Sequence, residues 1–280
     1  TIVTLAREFA RARRPLALCG RGQGTVPGGL GEYVAVHALN AMVGNINRPG
    51  GVWAMPQPAM EGWTEPVIDA TAQTGLAKPR LDGAGSAAYP FADQLFNRVP
   101  AALKEERPYP INTLLVYDAN PMFSMPGTAE LGEAIQKIPF IGSFASHMNE
   151  TAMMADLVLP NHGHLERLED VPVSTGFNRP MVGLARPVVD PQRDTMHTGD
   201  VLLQLAAALG GTIASSLPWS DYETALQEAL ASRWGDLERN GYWIDERYQP
   251  DTWSFAFPTA SGKFDFSAAS SDLKQLFAAV

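Results

Sequence analysis

Four stretches of the chain carry residue types from which a site could be built. The first is a glycine run, Gly20, Gly22 and Gly24 with Gln23 and Thr25, followed by Gly28 and Gly29. Glycines permit tight turns and let backbone N–H groups approach a phosphate closely. The spacing is not G-x-G-x-x-G and no P-loop lysine follows, so on spacing alone a plain glycine turn reads equally well. The second is Asn120-Pro121, an Asx turn before proline. The third is a polar turn in which Ser146, His147, Asn149, Glu150 and Thr151 follow one another closely. The fourth is His162-Gly163-His164 with Glu166 and Asp156 nearby. His-x-His on a strand puts both rings on one face, and zinc accepts imidazole and carboxylate. A further ligand is unspecified, so no metal ligand is assigned. Glu169 and Asp170 are adjacent acids; neighbours on a chain rarely share a site, and they read as solvated or helix-capping. His37 and His197 read as structural, Cys19 as a small packed hydrophobe. No catalytic residue is assigned.

The elements that must position these residues follow from the apolar pattern. Residues 140–144 form a short apolar run and 157–159 another, joined by the polar turn and a helical turn at 151–154. This fits a buried parallel sheet with the polar turn at its carboxyl edge, where ligands of open α/β sheets usually bind. Residues 111–117 (INTLLVY) are a strand, 118–127 the loop at its end, and 128–137 a helix with Leu131 and Ile135 inward. The unit is a right-handed βαβ crossover. Upstream, 1–14 reads as an amphipathic helix ended by Pro15, 15–19 as a strand, and 31–43 as a helix with Val34, Ala38 and Met42 on one face. Residues 53–110 are rich in Pro, Gly and Ala and read as a long irregular insert, with a helix over 92–103 interrupted by Pro100. Downstream, 201–209 and 221–234 are helices. The expected fold is α/β, a mainly parallel sheet flanked by helices in Rossmann-like layers. Its divisions are 1–52, the insert 53–110, and 111–280. The three loops 20–25, 120–124 and 145–151 should converge at one sheet edge.

Composition narrows the function. The chain has 280 residues, 45% apolar and 18% charged, with a net charge of −9. An acidic balance argues against nucleic acid and against anionic membrane surfaces. No apolar run approaches a membrane span, so direct insertion is not expected. A single cysteine cannot supply a disulfide or an iron–sulfur cluster.

Several runs together resemble a known family. They are Glu150-Thr151-Ala152, Ala155-Asp156-Leu157-Val158-Leu159-Pro160, Leu165-Glu166-Arg167, and the G-N-x-x-x-P-G-G-V run from Gly44 to Val52. They resemble the large subunit of molybdopterin oxidoreductases of the dimethyl sulfoxide reductase family, in its central portion only. The resemblance implies a parent handling a small substrate by two-electron or oxygen-atom chemistry. Its cofactor would be a molybdopterin guanine dinucleotide with molybdenum or tungsten. It further implies iron–sulfur and membrane-anchor partner subunits and a periplasmic setting. The metal ligand and cluster cysteines are expected in segments outside this chain, so the isolated piece should hold neither metal nor cluster and should not be catalytic. The resemblance makes Gly20, Gly22, Gln23, Gly24, Thr25, Asn120, Pro121, Ser146, His147, Glu150 and Thr151 cofactor-facing. It also implies strands around 187–191 and 257–266.

One position departs from the pattern. Many members carry an aspartate, suited to guanine N–H groups, six residues before the threonine of the E-T-A run. Here that position is Ala145. Alanine has no acceptor, and a charge-assisted hydrogen bond contributes roughly 1.5–3 kcal/mol. The alternative is therefore a cofactor-free structural or electron-transfer subunit of a membrane-attached respiratory complex. In that case Met148, Phe123 or Trp53 should fill the cleft.

Overall fold

In the computed structural model the described residues are 1–19, 29–53, 65–86, 88–89, 92, 94–173, 179–250, 257 and 261–266. The chain opens with α1 (Ile2–Arg11), which ends three residues before the expected stop. Residues 15–19 are extended but join no sheet, contrary to expectation. The reason lies in α2 (Gly29–Met42). There the buried Asn40 accepts from the Ala17 N–H and donates to the Ala17 carbonyl, both at 2.9 Å. One side-chain amide thus satisfies the backbone groups that a neighbouring strand would have taken. The expected inward face of α2 is also corrected at its end: Met42 is 72% exposed, while Asn40 and Ala41 are buried. After α2, Gly51 packs so closely on Asn45 that a Cβ would lie 2.1 Å from its carbonyl oxygen. That contact explains a glycine in this run.

Within the expected irregular insert, α3 (Ala70–Leu76) is capped by Asp69, whose side chain accepts from the Ala72 N–H. The buried Asp82 accepts from Ala84 and Leu95 and pairs with Arg80. A 3-10 turn, Phe96–Arg98, leads into α4 (Val99–Glu105). Pro100 does not interrupt a helix here. It lies in the first turn of α4, where its missing N–H costs nothing.

The βαβ unit follows as expected. Strand β1 (Thr113–Val116) pairs in parallel with β2 (Phe140–Ser143), and β2 with β3 (Leu157–Val158), in the order β1-β2-β3. Between β1 and β2 lie α5 (Pro121–Ser124), a single turn that the sequence reads as loop, and α6 (Thr128–Ile135). Leu131 and Ile135 of α6 are buried with Ile138, Ile141 and Leu103 of α4, so a helix of the insert completes this core. Asp156 fixes the β2–β3 register by accepting from the Ile141 N–H at 2.7 Å.

A second sheet follows. Strands β4 (Glu169–Val173), β5 (Met181–Ala185) and β6 (Tyr242–Ile244) are antiparallel in the order β4-β5-β6. The expected strand at 187–191 is absent; the strand lies earlier, in β5. Among the described residues of 257–266 there is no strand either: 261–263 and 266 are turns and bends, and 257, 264 and 265 are irregular. Between β5 and β6 come α7 (Thr198–Leu209), α8 (Gly211–Ser216), α9 (Tyr222–Leu230) and α10 (Trp234–Asn240). Leu226, Leu230 and Leu237 pack on Val182 and Leu184 to form the core of this layer. No helix among the described residues is long and apolar enough to cross a membrane.

Candidate functional site

At the carboxyl edge of the parallel sheet, the loop after β1 and the loop after β2 are joined through one side chain. Asn120 donates to the Glu150 carboxylate at 2.6 Å through Nδ2. Its Oδ1 accepts from the Thr151 hydroxyl at 2.7 Å and from the Thr151 N–H at 3.3 Å. Thr151 is buried and its hydroxyl oxygen accepts in turn from the Met122 N–H at 3.1 Å. Pro121 starts α5, and its fixed φ suits that first helical position. The Asn120 carbonyl takes the first backbone donors of that turn. Asn120 therefore closes both loops and starts the helix between β1 and the site.

The rim of this latch is polar and open. Glu150 is exposed; the Asn120 hydrogen bond holds its carboxyl below the usual range, so it stays ionised at neutral pH. Ser146 Oγ and His147 Nδ1 are 3.0 Å apart and bond to each other. Asn149 caps the next turn by accepting from the Ala152 N–H. Ala145 is 7% exposed, and its N–H donates to Ser143 Oγ at 3.3 Å. The described part of the turn thus offers one anionic acceptor, Glu150, but none at Ala145. Phe123 and Met148 are 76% and 66% exposed, so neither fills a cleft within this chain. Of the three loops expected to converge, two do. The third, with Gly20, Gly22, Gln23, Gly24 and Thr25, lies outside the described residues.

His162, Glu166, Glu169 and Asp170 have structural partners, while His164 is exposed. Glu166 accepts from the backbone N–H groups of Gly163 and Gln192. His162 Nδ1 lies 2.7 Å from Thr195 Oγ1. Glu169 and Asp170 are half-buried and cap no helix; both belong to β4, and each has a specific partner. Glu169 Oε1 lies 2.7 Å from Arg167 Nε in a close ionic contact without hydrogen-bond alignment, and Asp170 accepts from the Tyr222 hydroxyl at 2.9 Å.

One group escaped the sequence reading, and one that it called structural has its role defined. Arg167, 8% exposed, bonds Asp118 Oδ2 at 3.0 Å and the His162 carbonyl at 3.4 Å. Burial opposes its charge, but Asp118 and Glu169 overcome that and raise its pKa. His197 is the N-cap of α7: its Nδ1 accepts from the Gly199 N–H, and its ring stacks on Tyr222 at 4.4 Å. Burial lowers its pKa, with Asp200 and Glu169 pulling the other way. The Leu165-Glu166-Arg167 run flagged Arg167 by position, and Glu169 lies two residues on, but no local pattern showed its pairing with Asp118, which is 49 residues earlier.

A parallel sheet flanked by helices, with the loops after β1 and β2 joined at its carboxyl edge, defines the class, a Rossmann-like α/β domain. Comparison with known proteins then gives the family. Residues 3–208 match the molybdopterin oxidoreductase family, and the chain belongs to it. It is 29% identical over 242 residues to the menaquinone reductase molybdopterin-binding-like subunit of Nitratidesulfovibrio vulgaris, covering 85% of this chain and 31% of that protein. It is 26% identical over 318 residues to the arsenate respiratory reductase molybdopterin-containing subunit of Chrysiogenes arsenatis, covering 95% of this chain and 37% of the relative. The structure of acetylene hydratase from Pelobacter acetylenicus superposes with a TM-score of 0.69 at 18% identity, over 98% of this chain and 41% of that one. The chain thus spans about a third of the length of these two curated relatives. It is a portion of a molybdopterin oxidoreductase large subunit.

Proposed function

We propose that this chain is the part of the large subunit that cradles the nucleotide end of a molybdopterin guanine dinucleotide. The parent would carry out two-electron or oxygen-atom chemistry on a small substrate. The observation that carries this reading is the Asn120 latch, which brings the loops after β1 and β2 together at the carboxyl edge of a family-typical sheet. When bound, the metal-loaded pterin supplies the redox chemistry. The chain's own residues bind and orient. Glu150 offers an ionised acceptor to base N–H groups. Ser146 and His147 offer polar groups on the same rim. Gly20, Gly22 and Gly24, with Gln23 and Thr25, are the proposed contacts for the pyrophosphate. Iron–sulfur and membrane-anchor partners and a periplasmic setting belong to the same reading; the names of the relatives, each a subunit, support partner subunits.

Ala145 favours a second reading. A buried alanine stands where an acceptor for guanine is expected, and one relative is described as molybdopterin-binding-like. The parent would then keep the fold as a structural or electron-transfer subunit without the cofactor. The test is metal and guanine-nucleotide content of the full-length protein, measured by mass spectrometry and acid release. The first reading expects stoichiometric molybdenum or tungsten with nucleotide, lowered by Asn120→Ala and held more tightly by Ala145→Asp. A parent empty of both, and left empty by Ala145→Asp, decides for the second.

A further inference from the structure

Asp118 is the residue that turns the chain from β1 into the Asn120 loop, and it does so at φ +48°. That left-handed conformation is ordinary for glycine and unfavourable for most side chains, with aspartate among the tolerated few. The residue that grips Asp118 is Arg167, through a 3.0 Å bond from Nη2 to Oδ2. Arg167 is itself anchored from two other directions. Its Nε contacts Glu169 of β4, and its Nη1 donates to the His162 carbonyl in the loop after β3. The guanidinium therefore joins the ends of β1 and β3 to the second sheet. Its described hydrogen bonds and ion pairs go to His162, Asp118 and Glu169 and not to the rim residues Ser146, His147 or Glu150. Two residues beyond Asp118 stands Asn120, whose side chain holds both loops.

We infer that Arg167 is a positioning residue: by holding Asp118 in its left-handed turn, it aims Asn120 at Glu150 and Thr151 and so sets the shape of the rim. The inference rests on the reading of that rim as a cofactor cradle only for its purpose. The geometry itself is independent of whether anything is bound. It predicts a specific pattern of substitution. Glycine at 118 adopts the turn without being held, so it removes the need for the clamp. Alanine at 118 loses the ion pair and keeps the Cβ that disfavours the turn.

The experiment is amide hydrogen exchange across residues 120–125 of the full-length protein, where the Met122 N–H reports the bond to Thr151 directly. Asp118→Ala is expected to speed exchange there by about tenfold, the factor that corresponds to losing the support of one left-handed residue. Asp118→Gly should stay close to wild type. Arg167→Gln should resemble Asp118→Ala, and the double variant Arg167→Gln with Asp118→Gly should return towards wild type. Arg167→Lys should rescue only in part, because an ammonium lacks the guanidinium fork. Equal exchange in Asp118→Ala and Asp118→Gly overturns the inference, as does a double variant no better than Arg167→Gln. Should Arg167→Gln fail to fold, the two single substitutions at 118 still decide. Nucleotide content measured on the same samples keeps the two questions apart: an empty wild type removes the cofactor reading and leaves the exchange result standing.

Discussion

The two three-stranded sheets of this chain are built to opposite ends. The parallel sheet is narrow, and its strands carry exposed apolar residues at Leu115, Phe140 and Leu157. Its carboxyl edge is a lattice of single hydrogen bonds between loops. The antiparallel sheet is closed over a dense core in which Leu230 and Leu237 of the flanking helices are almost fully buried against Val182. The polar loops at the edge of the parallel sheet give geometry with little burial of their own, while Leu131 and Ile135 below that sheet and Leu230 and Leu237 in the second layer supply burial energy. Positioning is therefore carried by the edge loops and stability by the cores beneath both sheets, with Arg167 between the two.

That division can be broken at several strengths. The largest effect is expected in the antiparallel layer: Leu237→Ala, at a site 0% exposed, should lower unfolding free energy by about 2–5 kcal/mol in denaturant titration. Exchange in the 120–125 loop should change far less than global stability; a parallel collapse of both would erase the distinction. Next is Thr151→Val, which keeps the shape and removes the hydroxyl that joins Asn120 to the Met122 N–H. It should cost about 1–3 kcal/mol, with exchange at Met122 rising first. A uniform rise across the chain would count against a local latch.

Smaller again is a pH effect in the second layer. The pKa of His197 is lowered by burial, so the unfolded chain binds its proton more readily than the folded one. The stability it contributes is complete above its ordinary value of 6.5 and is lost as pH falls below that towards the lowered folded value. The melting midpoint should therefore drop on going from pH 7.5 to pH 5.5, and His197→Asn should flatten the slope. A slope unchanged by that substitution would assign the effect elsewhere, with His37, lowered in the same direction, as the next candidate. The smallest effect belongs to the surface: Arg239→Ala breaks an exposed pair with Asp236 and should change stability by less than about 1 kcal/mol.

How legible each region was in the sequence follows the same division. The βαβ unit was readable because its strands are near neighbours in the chain and α6 places Leu131 and Ile135 at helical spacing. Asn120, Glu150 and Thr151 were singled out there, and the structure brings them within hydrogen-bond distance of one another. What sequence spacing could not give was their dependence on one another. The second sheet was not readable because β6 reaches β5 only after four helices, and no local pattern announces so distant a pairing. The segment at 15–19 misled because its apolar run has strand composition, while its backbone partner turned out to be a side chain on α2. The reach of Arg167 to Asp118 was hidden for a similar reason: a partner 49 residues away is found by folding, not by spacing.

The pairing of Asn40 with Ala17 also has a consequence of its own. A strand ladder spreads its fidelity over many repeated bonds, so no single residue can erase it. Here residues 15–17 are held by two carboxamides, Asn45 on the Pro15 carbonyl and Asn40 on Ala17, and the second depends on a nitrogen standing where an oxygen could have stood. Hydrolysis of that amide would alter the mass by a single unit and leave the shape intact. It would nevertheless set two oxygens face to face where a donor met an acceptor. Chemical ageing at one buried position would thus remove a whole bond from this attachment, where ordinary side-chain drift in a sheet leaves the backbone bonds in place.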